Sequence, residues 1–147
     1  MKVFSKKALF AIFVLIAGAL ISIWFYLEKP HRDAVNEVAM PTTPEALFSS
    51  VYLKGEQQFL DKTIEFKGEI NELQPGKEPL CVIEIPGATD AGIRVSFDNR
   101  YSGKLANYKQ GDQIRLKGIC TGVLADTLME GVISVDVLIR NAVVVEE

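Results

Sequence analysis

From Thr63 to Val145 the apolar residues fall again and again on every second position, and this period of two restricts the fold more than any other feature of the chain. In TIEFKGEI, Ile64, Phe66, Gly68 and Ile70 share one side and Thr63, Glu65, Lys67 and Glu69 the other, the pattern of a half-buried strand. Four more strands follow. Leu80 to Ile85 places Cys81, Ile83 and Ile85 inward, between a turn at Asn71 to Pro79 and a break at Pro86-Gly87. After Asp90-Ala91-Gly92, Ile93, Val95 and Phe97 alternate with Arg94, Ser96 and Asp98. A longer polar connection, Asn99 to Gln110, carries Tyr101 and Tyr108, which are expected to pack over the strands. The fourth strand puts Ile114, Leu116, Gly118, Cys120 and Gly122 inward and Gln113, Arg115, Lys117 and Ile119 outward; the fifth puts Ile133, Val135, Val137 and Ile139 inward and Ser134, Asp136 and Arg140 outward. Five short strands, each with one apolar face, bury no core as a flat sheet. The pattern therefore predicts a mainly β unit closed into a small five-stranded barrel.

A second kind of segment precedes it. Ala8 to Leu27 is twenty residues without a charge, long enough as a helix to cross the roughly 30 Å hydrocarbon core of a bilayer. The run passes beyond the small residues Ala17-Gly18-Ala19, where a signal peptide would be cut, and ends in Trp24, Phe25 and Tyr26, as an uncleaved signal anchor with an aromatic interfacial end would. Lys2, Lys6 and Lys7 precede it and only Lys29 and Arg32 follow closely, so positive-inside bias leaves residues 1–7 cytoplasmic. The rest is expected on the periplasmic or extracytoplasmic side of a single-pass membrane protein. Residues 28–43, with prolines at 30 and 41, read as a tether, and 44–147 as the barrel with a leading helix. Thr42 with Glu45 is placed to form a capping box and Pro44 suits a first turn, so a short helix of about three turns is expected from Pro44, weakened at Gly55 and covering one end of the barrel.

The order of helix and strands, with the stretch Gly111-Asp112-Gln113-Ile114-Arg115-Leu116-Lys117-Gly118-Ile119-Cys120-Thr121-Gly122, resembles the OB-fold families, most closely the tRNA anticodon-like OB proteins of exported and membrane-anchored bacterial chains. The likeness spans about residues 44 to 145. It implies an OB-type barrel and no particular activity. One departure is Val95, which stands on the third strand where relatives often carry a cysteine, while Cys81 lies on the second. Inward parity of Cys81 and Cys120 permits a disulfide in an oxidising compartment, two separate buried thiols being the alternative.

Reactive chemistry is sparse. The chain has no G-x-S-x-G, no P-loop and one histidine, His31, in the tether, so no His-based triad; two cysteines 39 positions apart are too few for a metal signature. No catalytic residue, metal or cofactor is expected. Beyond residue 27 the chain holds 13 Lys/Arg against 19 Asp/Glu, a net of −6, which opposes a polyanionic partner. Lys104, Lys109, Arg115 and Lys117 read as a solvated surface rather than a basic groove. OB barrels usually bind across their second and third strands with flanking loops. Here that face offers Val82, Glu84, Arg94, Ser96 and Asp98, with Leu128 and Met129 at a loop tip and no stacking ring. The expected role is a membrane-anchored OB-fold binding module of an envelope assembly, with a protein, peptide or glycan partner. Nucleic-acid binding is one alternative, a small-ligand or enzymatic accessory role another.

Overall fold

The computed structural model describes residues 6–27, 32–127 and 133–146, so His31, Leu128 and Met129 lie outside the described residues. The chain divides into two compact units, residues 1–32 and 33–147.

In the first unit, Lys6–Leu27 forms helix α1 of 22 residues. Val14, Leu15, Ile16, Leu20, Ile21, Ile23 and Trp24 are all more than half exposed. Ser22 Oγ donates to Gly18 O within the helix. Among the described residues no helix is long and apolar enough to cross a membrane.

The second unit is mainly β, with six strands among the described residues where five were expected: β1 (Met40–Pro41), β2 (Thr63–Gln74), β3 (Leu80–Glu84), β4 (Ala91–Phe97), β5 (Gln113–Thr127) and β6 (Ile133–Val144). The sheet order is β1-β2-β3-β4-β6-β5, and β2 pairs again with β5, so five strands close into a ring with β1 outside it. The long β2 makes closure possible because it serves two neighbours. Its first half, Thr63 to Glu69, pairs antiparallel with β5 at Ile119 to Gln113, and its last residues, Ile70 to Gln74, pair with β3. Each strand of the ring contributes its alternate residues to one core: Ile64, Phe66, Ile70, Cys81, Ile83, Ile93, Val95, Ile114, Leu116, Cys120, Val137 and Ile139 are buried together.

Gly68, midway along β2, permits this packing by having no side chain. A Cβ there would stand 2.3 Å from Ile83 Cγ2. Gly118 on β5 likewise faces Ile139 and Ala142, so its contribution is close approach of two strands. Alternation breaks where the register shifts. Between Lys117 and Ile119 the β5–β6 pairing slips, and Ile119, assigned outward by parity, is buried beside Cys120. At Asn141 the backbone turns left-handed (φ 51°), and Ala142, Val143 and Val144 are all buried after it.

The leading helix also differs from expectation. Thr43, rather than Thr42, is the N-cap: its Oγ1 accepts from Ala46 N at 3.2 Å. The α-helix α2 covers only Pro44–Phe48 and passes directly into a π-helical turn, Ser49–Leu53, in which Lys54 N donates to Ser49 O. Leu47 and Val51 are buried in the common core, while Tyr52 and Leu53 stay exposed. The wider turn is held by polar groups, since Ser50 Oγ donates to Glu56 Oε2 at 2.8 Å and Gln58 Nε2 donates to Ser50 Oγ at 2.8 Å.

Residues 33–43, expected as part of a tether, are docked on the ring. Ala34 is 1% exposed. Lys117 Nζ donates to Val35 O at 2.9 Å, Thr63 Oγ1 donates to Glu37, and Asp33 faces Arg100. Met40 and Pro41 then run parallel to Ile64 and Glu65 as β1, and Thr42 N donates to Glu65 O. Short polar segments usually gain order only from partners, and here β2 and β5 supply them.

Candidate functional site

The face expected to bind is the outer side of β3 and β4. Val82 pairs with Arg94, Leu80 with Ser96 and Glu84 with Gly92, so Val82 and Arg94 sit side by side. β2 and β6 extend the row. Glu72 stands opposite Val82, and Asp136 stands opposite Gly92.

A depression of about 240 Å³ opens at this crossing, with Asn71, Glu72, Val82, Asp90, Arg94 and Asp136 among its walls. Its floor is Gly92, buried, where a Cβ would come 2.8 Å from Val82 Cγ1 and 3.2 Å from Asp136 Oδ1. A side chain at this position would fill the hollow. One wall is an ion pair: Arg94 Nε and Nη2 both donate to Asp136 Oδ2, at 3.0 and 2.8 Å. Asp136 was expected outward, yet its side chain is only 12% exposed, because Arg94 lies across it.

Of the residues singled out from sequence, Val82 and Arg94 meet in the depression. Glu84 and Ser96 are exposed on the same face outside it. Asp98 is turned away: its carboxylate accepts from Arg100 Nε and from Arg100 N, organising the turn that leaves β4. Arg100 also lies over the Tyr101 ring at 5.4 Å, and its guanidinium is held further toward the charged form mainly by the hydrogen bond to Asp98. The spacing puts Glu72 in a turn, Asn71 to Pro79, but β2 runs on to Gln74 and carries it as a strand residue. The β2–β3 pairing shifts between Ile70 and Glu72, so Asn71 is bulged, Leu73 turns toward the core and Glu72 turns outward.

The charge of the depression follows from its walls: Glu72, Asp90 and Asp136 against Arg94, whose guanidinium is already engaged. Such a surface suits hydrogen-bond donors or a cation and repels phosphate. The lysine and arginine group elsewhere forms no groove either. Arg115 Nε donates to Glu65 Oε1 at 2.7 Å, Lys104 pairs with Glu146 at 2.9 Å, and Lys117 holds the Val35 carbonyl. Aromatic platforms are missing from the face: Phe66 and Phe97 are buried, and Tyr108 packs against the core.

A second, apolar hollow of about 410 Å³ lies between the β2–β3 turn and the 3₁₀ helix Ser102–Asn107, walled by Leu73, Pro75, Pro79, Leu105 and Tyr108. Cys81 and Cys120 are free thiols, each 0% exposed. Burial pushes Cys81 up to about 12. Cys120 is pushed up to about 11 by burial, partly offset by a backbone hydrogen bond from Gly122. Among the described residues no group of three His, Cys, Asp or Glu is arranged to hold a metal ion.

No family model matches the chain, and no curated protein matches it by sequence. Solved structures do resemble it. A protein of Klebsiella pneumoniae subsp. pneumoniae designated "putative nucleic acid-binding lipoprotein" aligns over 80% of this chain and 100% of that one, at 16% identity and a TM-score of 0.52. The chain thus has an OB-type fold. An OBody, AM3L09, bound to hen egg-white lysozyme, aligns over 60% of this chain and 86% of its own at 14% identity, with a TM-score of 0.40. The S. pombe Stn1-Ten1 complex matches 58% of this chain and 59% of that chain at 13% identity and a TM-score of 0.36. The last two likenesses are too distant to argue from.

Proposed function

We propose that this protein is a single-pass membrane protein, held by α1, that presents an OB-type binding module on the extracytoplasmic side. The module binds a protein, peptide or glycan as part of an envelope assembly and performs no catalysis. The depression on the β3–β4 face carries this reading, because it lies where OB modules take ligands and is walled by Glu72, Asp90 and Asp136 with one engaged arginine. A basic or hydrogen-bond-donating segment complements that surface. The twenty-residue uncharged run Ala8 to Leu27 supports the anchor, and the lipoprotein designation of the Klebsiella neighbour is consistent with an envelope location.

The test is partner isolation from detergent extracts with three forms of the full chain: wild type, a Glu72→Lys/Asp90→Lys face variant, and a Lys77→Glu control on the β2–β3 turn. A partner that is retained by wild type and control and lost by the face variant supports the proposal. A partner set that ignores the face variant overturns the assignment of the face.

Nucleic-acid binding is the second reading, and it draws on the designation of the same neighbour. Titration of labelled single-stranded DNA and RNA at low ionic strength decides it. Salt-sensitive binding would favour this alternative, because phosphate contacts lose affinity steeply as salt rises.

A further inference from the structure

The segment that opens the second unit has its polarity inverted. In residues 33–41, the side chains turned to the ring are Ala34, 1% exposed, and Glu37, whose carboxylate accepts from the buried Thr63. The apolar ones point away: Val38 is 96% exposed, Met40 40% and Val35 39%. The strap is not free to turn over and hide them. Lys117 grips the Val35 carbonyl, Asp33 faces Arg100, and β1 is paired to β2. A docked strap that fixes three apolar side chains outward has a surface of its own to cover, and scattered single apolar residues need no such explanation.

Chain length says what lies within reach. Only residues 28–32 separate the end of α1 from the first docked residue, Asp33, a length that can extend no more than about 20 Å. We infer that the outer side of the strap, Val35, Val38 and Met40, rests in the interfacial layer of the bilayer from which α1 emerges. This rests on α1 being the membrane anchor. Apolar side chains gain by leaving water for the headgroup boundary, and a strap held by Lys117 and Asp33 loses little further freedom on doing so. The result is a binding module whose orientation is set by its own strap rather than by a loose tether.

The full chain, reconstituted in vesicles of zwitterionic and anionic phospholipid, tests this with one fluorophore. Val38→Cys and Lys77→Cys are labelled in separate samples, both native cysteines being fully buried. Lipids carrying a quencher on the upper acyl chain should quench the probe at position 38 several-fold more than the probe at 77. Val35→Asp should abolish the quenching of a Met40→Cys probe. Resistance of the protein to alkaline extraction is read on the same vesicles. Inserted protein whose position 38 is quenched no more than position 77 overturns the strap proposal and leaves the anchor intact. Protein extracted by alkali overturns the anchor itself. A probe shielded from aqueous quencher but untouched by lipid quencher assigns the strap to a protein partner and overturns the proposal as well.

Discussion

Arg94 on β4 delivers Nε at 3.0 Å and Nη2 at 2.8 Å to a single oxygen, Oδ2, of Asp136 on β6, two positions removed from its own register partner Leu138. The pair is lopsided: the arginine side chain is 41% exposed and the aspartate 12%. Removing the arginine therefore strands a largely dry carboxylate, whereas removing the aspartate leaves a guanidinium that water can reach. Arg94→Ala is expected to destabilise the fold by about 1–2 kcal/mol and Asp136→Ala by less, with a coupling of about 1 kcal/mol in the double-mutant cycle, since half-exposed pairs are screened. Urea denaturation of the four forms measures it. Additive single effects would show that the geometry carries no energetic coupling.

Gly68 and Ile83 make a stricter relationship. A methyl group on residue 68 would lie 2.3 Å from Ile83 Cγ2, and 3.3 Å from the ring of Pro44 at the start of α2. Gly68→Ala is expected to cost about 1–3 kcal/mol through overpacking, and Ile83→Ala about 2–5 kcal/mol through the cavity it leaves. Combined, the two substitutions should be less damaging than their sum, because the new methyl occupies space that the old side chain vacates. Midpoints of chemical unfolding for both singles and the double show whether the close approach at Gly68 is what the ring requires.

These residues also mark how far the sequence could be read. Strict alternation located all five ring strands and nearly all of the core, because burial on one face imposes a period of two. Bulges escape that logic. Asn71 shifts Glu72 to the outer face and the slip near Gly118 brings Ile119 inside, and each depends on which partner strand the backbone meets. Parity puts Asp136 outward with Arg94 and Arg115 as candidate cross-strand ion partners, and it takes the β4–β6 pairing to decide for Arg94 and cover the carboxylate. The strap was hidden for the same reason: nothing in Ala34, Val35 or Glu37 announces Lys117 and Thr63, more than 25 residues away, as their partners. The π-helical turn at Ser49–Leu53 depends on Ser50, Glu56 and Gln58 closing on one another, a contact that spacing alone does not specify.

Docking of the strap can be broken at its most enclosed residue. Ala34 is 1% exposed, so Ala34→Glu puts a charge where no space or partner for it exists. The chain has an inexpensive escape, which is to release residues 33–41 into water and give up β1. The expected loss is consequently capped at about 1–3 kcal/mol rather than the larger penalty of a trapped charge. Hydrogen exchange should rise selectively at residues 33–42, above all at the Thr42 amide bonded to Glu65 O, while β3 and β4 stay protected. Uniformly unchanged exchange across 33–42 would mean that Ala34 does not hold the strap.

Alkaline conditions should expose the two buried thiols thermodynamically before they are exposed to reagents. Burial raises Cys81 from its ordinary 9.0 to about 12, and Cys120 to about 11, so the folded chain keeps protons that the unfolded chain gives up. The contribution is fully present below pH 9 and is lost as pH rises through 11 and 12, at up to about 1.4 kcal/mol per thiol for each pH unit above 9. The informative quantity is a difference in slope between two chains that differ only at the thiols. Stability of wild type measured from pH 8 to pH 10.5 should fall more steeply than that of Cys81→Ala/Cys120→Ala, whatever the offset between the two at pH 8. Native protein at neutral pH should also react with a thiol reagent only as fast as it unfolds, because both sulfurs are 0% exposed. Parallel slopes with rapid native labelling would place at least one of these cysteines at the surface.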